Sequence, residues 1–320
     1  MRIFNYLKQC HLLLSDLHKK ESVSLLYLWM NSLYALLFHG CLIKQYVYGG
    51  VYKVKKFKMK EVMTQKRLDR VIRLYNNREY IPILEKKNEF NTFFHQWVKR
   101  KWLYSENLTK DEFYEFVHNS NRFFVKPLSA QEGEGIRMYE NLSQQELDSL
   151  YIKIENRHVI IEEAIQQHSK MYFGNHSVNS IRIITCVDTN GNAHILRAAL
   201  RAGIGNAIVD NYSAGGVLYD IDVKTGIIDN KGICNNGEQY IYHPGTDICM
   251  LGYEIPNWEI VISSVKEAAI TLPQCRFIGW DVAITESGIE LIEGNHNPGL
   301  YTMESIGKPF SYRDALDLLS

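Results

Sequence analysis

The sequence lacks a net charge, any Cys-x-x-Cys pair and any internal repeat. Its 320 residues include 36 Lys or Arg and 36 Asp or Glu, so the charge balance gives no reason to expect a nucleic acid as a partner. The cysteines lie far apart in the sequence: Cys10, Cys41, Cys186, Cys234, Cys249 and Cys275. This spacing argues against a disulfide framework and against a structural zinc site. It is typical of a protein in the reducing cytoplasm, and the length of 320 residues predicts about two domains.

An unbroken apolar run long enough to cross a membrane is also lacking. Residues 23–43 approach that length but contain Asn31, Ser32 and His39, so we predict a buried or interfacial helix. Residues 53–73 carry nine Lys or Arg against two acidic residues. They form either a solvated helix face or a surface that contacts an anionic membrane or an acidic substrate, and the pattern leaves both open.

The hydrophobic pattern changes near residue 120. Residues 1–118 place apolar side chains three and four positions apart, which predicts a mostly helical N-terminal region. Thr109 is predicted to begin one helix, and Ser143 begins another through a capping box. After residue 120, short apolar runs alternate with turns, so the rest of the chain is predicted to mix strands and helices in an α+β fold.

Residues 181–188 and 194–203 are predicted to form a β-hairpin. The Asn-Gly pair at 190–191 is typical of a two-residue type I′ turn. In the register that such a turn sets, Arg182 faces Ala199 across the hairpin.

The same register places Arg182, Arg197 and Arg201 on one face, because side chains alternate along a strand. These arginines either lie scattered on a wet outer face or bind an anion, for which phosphate is the commonest partner. Apolar neighbours on that face favour a partly enclosed surface.

A glycine-containing loop joins two predicted strands within residues 124–136, FVKPLSAQEGEGI. It is neither a P-loop nor a dinucleotide-binding fingerprint, because no G-K-[ST] follows and the next element is a strand. Ser129, Gly133 and Gly135 could bring backbone N–H groups close to a phosphate, with Lys126 supplying a cation, or they could form an ordinary turn.

Two acidic residues and an amide follow apolar runs near the end of the sequence. Glu293 and Asn295 project to one face of an extended segment, and Asp281 lies on the strand predicted to pair with it. Carboxylate and amide oxygens are ligands that Mg²⁺ prefers. We therefore predict a magnesium site, the alternative being acidic residues beside a surface turn.

Residues 162–165 end another apolar strand and include Glu162, Glu163, Ala164 and Ile165. The backbone here could pair with the edge of an adenine while a carboxylate accepts a ribose hydroxyl. A strand end with solvated acids is the alternative.

Taken in chain order, these segments resemble the ATP-grasp superfamily, and most closely its sugar-transfer-associated branch. The resemblance is carried by FVKPLSAQEGEGI, IIEEAI, SVNSIRIIT, NYSAGG and IGWDVAITESGIELIEGNHNPG, within residues 80–305. It implies two α+β subdomains that grip ATP, a lid at 119–165 and a C-terminal subdomain with the metal site at 166–320, after the helical region 1–118.

The resemblance also implies roles for residues in this sequence. Lys126 and either Lys86 or Lys87 would contact ATP. The loop with Ser129, Gly133 and Gly135 would cover its phosphates, and Glu162, Glu163, Ala164 and Ile165 would form the hinge at adenine and ribose. Arg182 would contact phosphate or substrate, and Asp281, Glu293 and Asn295 would hold Mg²⁺.

The activity that the resemblance implies is an ATP-dependent carboxylate–amine ligation through an acyl phosphate. The acceptor would be a small molecule or saccharide with a carboxylate, used in surface-polysaccharide assembly. A phosphotransferase that acts on a hydroxyl and a non-catalytic nucleotide-binding module remain alternatives. We predict a cytoplasmic location and leave peripheral contact with a membrane open.

Overall fold

The computed structural model describes residues 2–128, 135–174, 177–205, 215–299 and 310–320. Six α-helices lie in the first hundred residues: α1 (Arg2–Glu21), α2 (Leu25–His39), α3 (Ile43–Tyr48), α4 (Gln65–Tyr75), α5 (Ile81–Glu85) and α6 (Lys87–Phe93). Two 3-10 segments, Val51–Lys53 and Lys56–Glu61, separate α3 from α4. The mostly helical N-terminal region is thus confirmed.

Helices α1, α2 and α3 pack around a small core of their own that contains Leu14, Leu28 and Tyr46. Helix α2 ends where Gly40 adopts a left-handed φ of 68° and donates its N–H to the carbonyls of the last turn. Across the described ranges, no helix is both long and apolar enough to cross a membrane.

The smaller of the two sheets in the described residues has four antiparallel strands. They are β1 (Trp102–Tyr104), β2 (Arg122–Pro127), β3 (Arg137–Glu140) and β4 (Val159–Glu163), in the order β1-β4-β2-β3. Helices α7 (Lys110–His118) and α8 (Gln144–Ile154) pack on this sheet. Each begins with a capping box, at Thr109 and at Ser143, so both predicted helix starts are confirmed.

Within the described ranges, the larger sheet has seven antiparallel strands. They are β5 (Ser180–Val187), β6 (Ala193–Ala202), β7 (Val217–Ile221), β8 (Gly232–Ile233), β9 (Gln239–Tyr240), β10 (Phe277–Thr285) and β11 (Gly288–Asn295), in the order β11-β10-β5-β6-β7-β8-β9. Helix α9 (Trp258–Thr271) covers one face, where Ile183 and Trp280 are fully buried. On the opposite face, α4 and α10 (Tyr312–Leu319) cover the end that carries Ile184. Charged side chains occupy the neighbouring part of that face.

The hairpin turn between β5 and β6 differs from the prediction. Val187 pairs with Ala193, and the N–H of Asp188 donates to the carbonyl of Asn192, so three residues close the turn rather than two. Gly191 has a φ of 85°, but its predecessor does not have the positive φ that a type I′ turn requires. The predicted turn is therefore wrong. The Asp188 carboxylate, which accepts two backbone N–H groups within the turn, stabilises the longer loop.

A one-residue bulge at Leu196 compensates for the longer turn. Beyond it the strands return to the expected register, in which Arg182 faces Ala199. Arg197 and Arg201 emerge on the same face as Arg182, since their cross-strand partners alternate with it along β5. The predicted common face of the three arginines is confirmed.

Two elements that precede residue 119 belong spatially with the smaller sheet. Strand β1 pairs with β4, and α7 packs in the same core as β2 and α8. A three-residue strand is too short to show a readable alternation in the sequence. The division of the chain at 118/119 and at 165/166 remains a prediction.

Candidate active site

Three neighbouring strands bring polar side chains together on the larger sheet. Asp281 on β10 pairs with Glu293 on β11 and, on its other side, with Arg182 on β5. Cross-strand partners share a face of a sheet, so the three side chains emerge together. Asn295 lies two residues beyond Glu293 and emerges on the same face. The predicted metal ligands and Arg182 thus lie at one place in the fold.

Asp281 is only 2% exposed and is held by two arginines. Its carboxylate accepts hydrogen bonds from Nε and Nη2 of Arg182, the latter at 3.0 Å, and from Nη1 of Arg201 at 2.8 Å. Arg182 also donates from Nη1 to the carbonyl of Pro298 at 2.7 Å, which fixes its guanidinium. Burial alone would raise the pKa of Asp281, but the two arginines hold that pKa well below its ordinary value.

Glu293 lies beside Asp281 in the opposite electrostatic situation. Its pKa is raised, first by burial and then by the negative charge of Asp281 and the hydrogen bond between the two carboxyl groups. Nδ2 of Asn295 donates to Oε1 of Glu293 at 3.2 Å. Adjacent acids whose pKa values move apart are typical of functional sites.

The residues fit a magnesium ion. A dication would take the place of the proton that the raised pKa favours on Glu293, and it would offset the repulsion from Asp281. Rotation of the Asn295 amide by half a turn presents its oxygen where its nitrogen now points. No three His, Cys, Asp or Glu side chains cluster as metal ligands in the described residues, and this set has only two carboxylates.

The three predicted arginines form ion pairs with two different acidic residues. Arg182 and Arg201 bond to Asp281, whereas Nη2 of Arg197 lies 3.1 Å from Oδ1 of Asp220 on β7. Arg197 and Asp220 are both buried. Arg197 therefore lies on the predicted face but is held towards a different carboxylate.

Glu162, on β4 of the smaller sheet, is enclosed by donors. It is 1% exposed and accepts hydrogen bonds from Asn91 at 2.7 Å and Arg100 at 2.8 Å, and Nζ of Lys126 lies 2.6 Å away. Burial opposes its charge, but the two cations hold its pKa below the ordinary range. Glu162 thus holds Lys126 in place, whereas the hinge prediction needs a carboxylate that faces a ribose.

Two backbone N–H groups of the remaining hinge residues already form hydrogen bonds within the protein. The N–H of Glu163 donates to the carbonyl of Lys101, and the N–H of Ala164 donates to the carbonyl of Arg122, both at 2.9 Å. Contact of this segment with adenine remains a prediction.

The structure distinguishes the two adjacent lysines. Lys86 is exposed and pairs with Glu89 at 2.8 Å. Lys87 is partly buried, and burial lowers its pKa, which the charge of Lys126 lowers further and the charge of Glu293 raises. Lys87 therefore lies within the electrostatic field of the site and is the candidate for contact with ATP.

Gly294 explains how α5 and α6 approach β11 so closely. A Cβ at this position would lie 2.7 Å from Cδ2 of Leu84 and 3.0 Å from Cε2 of Phe90. Only a residue without a side chain fits such an approach. The glycine between Glu293 and Asn295 thus helps to place Lys87, the first residue of α6, near the carboxylates.

Sequence reasoning missed Arg100, which joins the two sheets. It is 6% exposed, and its guanidinium bonds to Glu162 on β4 at 2.8 Å, to Glu290 on β11 at 3.0 Å and to the carbonyl of Leu291 at 2.7 Å. In the sequence it looks like one of three surface cations at 99–101. The available signal was Glu290, an acid inside an apolar strand that requires a buried cation.

Part of the predicted phosphate loop lies outside the described residues, including Ser129 and Gly133. Gly135 is described, with a φ of 74°, and a Cβ there would lie 2.9 Å from Cγ of Pro127. Both facts require glycine at this position. The role of the loop at ATP remains a prediction.

The smaller sheet thus carries Lys126, and the larger sheet carries the acidic pair Asp281 and Glu293. The sequence matches the model of the family described as sugar-transfer associated ATP-grasp over residues 66–309, and the chain belongs to this family. The predicted resemblance is confirmed. The sequence has no significant match among curated proteins.

Solved structures that match are distant in sequence. They include the ADP complex of purK, N5-carboxyaminoimidazole ribonucleotide synthetase (11% identity, TM-score 0.44, 74% of this chain and 51% of that one). The ATP-grasp ligase PsnB with a phosphomimetic precursor, Mg and ADP matches at 12% identity and TM-score 0.46, over 76% of this chain and 60% of that one. D-Alanine-D-Alanine ligase from Helicobacter pylori matches at 13% identity and TM-score 0.44, over 73% of this chain and 60% of that one. The chain thus spans between 51% and 60% of these proteins, and we infer no activity from them.

Proposed function

We propose that the protein is an ATP-dependent ligase that joins a carboxylate to an amine. The observation that carries this proposal is the convergence of opposite charges on one buried place. Asp281 and Glu293 lie side by side with Arg182 bonded to one of them, and the charge of Lys87 acts on the other. Such a place suits the phosphates of a nucleotide and a divalent cation.

The chemistry that fits this set needs no covalent nucleophile on the protein. A carboxylate oxygen of the acceptor attacks the γ-phosphorus of ATP, the bond to the β,γ-bridging oxygen breaks, and ADP leaves. The amine then attacks the acyl carbon of the acyl phosphate, phosphate leaves with the electron pair of its C–O bond, and the nitrogen loses a proton. Negative charge develops on oxygen in both steps, and fixed cations stabilise such charge.

The residues of the site divide this work. Asp281, Glu293 and Asn295 would hold Mg²⁺, which when bound neutralises phosphate charge. Arg182 and Arg201 lie at the same place and offer fixed guanidinium charge beside the transferring group. Lys126, held by Glu162, offers a cation from the smaller sheet.

The family description supports a saccharide acceptor. A sugar or sugar-linked carboxylate, modified during surface-polysaccharide biosynthesis, is the acceptor class that we propose with a free amine. A cytoplasmic enzyme in contact with an anionic membrane surface would meet such acceptors where they are assembled.

The first test is thermal unfolding with and without Mg·ATP. A ligand at about 100 times its Kd, bound only by the native state, stabilises it by about 2.7 kcal/mol, which is easily measured. We expect this shift in the wild type and in Glu267→Ala, an exposed acid on α9. We expect it to be lost in Glu293→Ala. No shift in the folded wild type would contradict the nucleotide site.

The second test separates ligation from phosphate transfer to a hydroxyl. Hydroxylamine attacks an acyl phosphate to give a hydroxamate, whereas a phosphoester does not react in this way. We expect hydroxamate and ADP when a uronic acid, ATP and hydroxylamine are supplied together. ADP with a stable phosphoester would indicate the phosphotransferase. Nucleotide binding without acceptor-dependent ADP release across a panel of sugar carboxylates would indicate a non-catalytic module.

A further inference from the structure

Helix α2 packs against the protein with its more polar side. Its buried residues are Leu28, Asn31, Ser32 and Ala35, of which two are polar. Nδ2 of Asn31 donates to the hydroxyl of Tyr27, and the hydroxyl of Ser32 donates to the carbonyl of Trp29, so each of these side chains forms one hydrogen bond within the helix. This is the reverse of the usual surface helix, whose apolar stripe faces the core.

The opposite side of α2 is apolar and exposed. Leu26, Met30, Leu33 and Leu37 are 70%, 67%, 54% and 69% exposed. Their spacing of four, three and four residues places them in one stripe along the helix. Phe38, 70% exposed, lies beside this stripe. Contiguous exposed apolar surface of this kind marks an interaction site rather than ordinary solvent-facing surface.

Lysines lie next to this apolar stripe. The 3-10 segment Lys56–Glu61 packs against α2. Nζ of Lys56 lies 5.3 Å from the centre of the Tyr34 ring, and that ring contacts the Phe38 ring with centroids 4.9 Å apart at an interplanar angle of 34°. Phe57, 66% exposed, stands among exposed lysines: Lys53, Lys55, Lys56, Lys58 and Lys60. The segment that packs against α2 thus carries an exposed apolar side chain among exposed cations.

The C-terminal end of α2 is basic as well. Lys66 lies close to Gly40, since a Cβ added to that glycine would be 3.1 Å from Cβ of Lys66. Nη2 of Arg67 lies 2.9 Å from Nδ1 of His39. In this stretch Glu61 faces Arg313 at 3.9 Å, and Asp69 accepts a hydrogen bond from Gln65. The cations outnumber these acids, so the surface has a positive rim.

We propose that the apolar stripe of α2 and the adjoining lysines form a docking surface for an anionic lipid bilayer. Helix α2 would lie in the plane of the interface, with its leucines and Phe38 at the level of the acyl chains and its lysines at the phosphates. This is the arrangement of an interfacial amphipathic helix. Fifteen residues of α-helix reach about 22 Å, short of the roughly 30 Å of hydrocarbon that a span must cross.

The composition of the surface favours lipid over a protein partner. Lysine is depleted in protein–protein interfaces, since burying an ammonium group costs its hydration. At a bilayer, long lysine side chains extend to the phosphates while the neighbouring apolar side chains insert. The exposed lysines that border the stripe therefore fit anionic headgroups. The proposal does not depend on ligase activity, and its test does not measure catalysis.

The test is co-flotation of the full chain with vesicles. We expect binding to phosphatidylcholine vesicles that contain phosphatidylglycerol, weaker binding to phosphatidylcholine alone, and a loss as salt rises. Leu33→Glu with Leu37→Glu should weaken binding by about tenfold or more. Lys55→Glu with Lys58→Glu should do so by a similar factor.

Matched controls lie on α8. Ile152 is 73% exposed there and its neighbour Lys153 is exposed, so Ile152→Glu with Lys153→Glu changes the same residue types away from α2. This variant should bind as the wild type does. Because the substituted residues of α2 are exposed, their variants should retain the wild-type Tm. Should the double Glu variant not fold, Leu33→Ser with Leu37→Ser replaces it.

Three outcomes would overturn the proposal. One is the absence of binding to anionic vesicles at low salt, and another is undiminished binding by the folded Leu33 and Leu37 variants. The third is a dimer in light scattering that these variants convert to a monomer while vesicle binding is unchanged. That result would assign the stripe to a second copy of the chain.

Discussion

Two buried ionic clusters in this protein contain the same number of charged groups but distribute their contacts differently. The first consists of Arg100, Lys126, Glu162 and Glu290, and the second of Arg182, Arg201, Asp281 and Glu293. In the first cluster, each acid lies within 3.0 Å of at least one cation. In the second, both arginines bond to Asp281, whereas Glu293 bonds to its neighbouring acid and to Asn295.

The pKa values of the two glutamates reflect this difference. Glu162 is buried and Glu293 is partly buried, and burial raises the pKa of a carboxyl group. Cations overcome that effect at Glu162, whose pKa is lowered, but not at Glu293, whose pKa is raised further by Asp281. The first cluster therefore holds two sheets together, and the second retains an acid that gains from a bound cation. The number of charges alone would not distinguish them.

The largest expected effect is the loss of Arg100. Arg100→Met leaves Glu162 and Glu290 buried without the cation they share, and breaking a buried ion pair from one side costs about 3–5 kcal/mol. We expect a fall of that size in the free energy of unfolding measured in urea. Lys101→Met changes the exposed neighbour and should alter it by less than about 0.5 kcal/mol. A similarly small loss of stability in both variants would contradict the role of Arg100 in joining the two sheets.

The next effect separates the two glutamates. Glu293→Gln removes a charge that burial disfavours, so the unliganded protein should lose less than about 1 kcal/mol of stability. The stabilisation by Mg·ATP, about 2.7 kcal/mol at about 100 times Kd, should disappear. Glu162→Gln should do the reverse and destabilise the unliganded protein, because it removes the negative charge that Arg100 and Lys126 share. Thermal unfolding of both variants with and without Mg·ATP measures this, and equal behaviour would remove the distinction between the clusters.

Much of the second cluster could be predicted from the sequence. Asp281, Glu293 and Asn295 follow apolar strands, and the alternation of side chains suffices to place them on one face. The common face of the arginines was also readable, although the turn that was meant to set it has one more residue than predicted. A bulge at Leu196 restores the register, and no sequence pattern indicates a bulge of this kind.

The first cluster could not be predicted, because it depends on contacts between distant parts of the chain. Arg100 is 62 residues from Glu162 and 190 from Glu290. Its neighbours Lys99 and Lys101 are exposed cations, so the local pattern predicts a solvated charge run. Lys86 and Lys87 were ambiguous for the same reason, since only the packing of α5 and α6 on Gly294 distinguishes them.

A smaller effect tests those adjacent lysines. Lys87→Met removes a cation whose pKa responds to the charge of Glu293, and we expect about a tenfold loss in affinity for ATP, on the order of 1.4 kcal/mol. Lys86→Met breaks an exposed pair with Glu89 and should change the affinity by less than about twofold. Titration calorimetry with ATP and Mg²⁺ measures both. Equal losses, or a larger loss for Lys86, would move the nucleotide away from the Glu293 side of the helix.

The smallest effect is a pH dependence, of stability through Asp281 and of magnesium affinity through Glu293. Because the pKa of Asp281 is lowered in the folded protein, its ion pairs stabilise the fold at every pH above the ordinary pKa of an aspartate. This stabilisation is lost only when the pH falls through the lowered pKa of the folded state. Below its raised pKa, Glu293 carries a proton that must leave before a metal ion binds. Magnesium affinity should therefore fall as pH drops below that raised pKa, by at most about tenfold per pH unit. Calorimetry in two buffers of different ionisation enthalpy should detect proton release in the wild type. A release that persists unchanged in Glu293→Gln would show that the proton comes from another group.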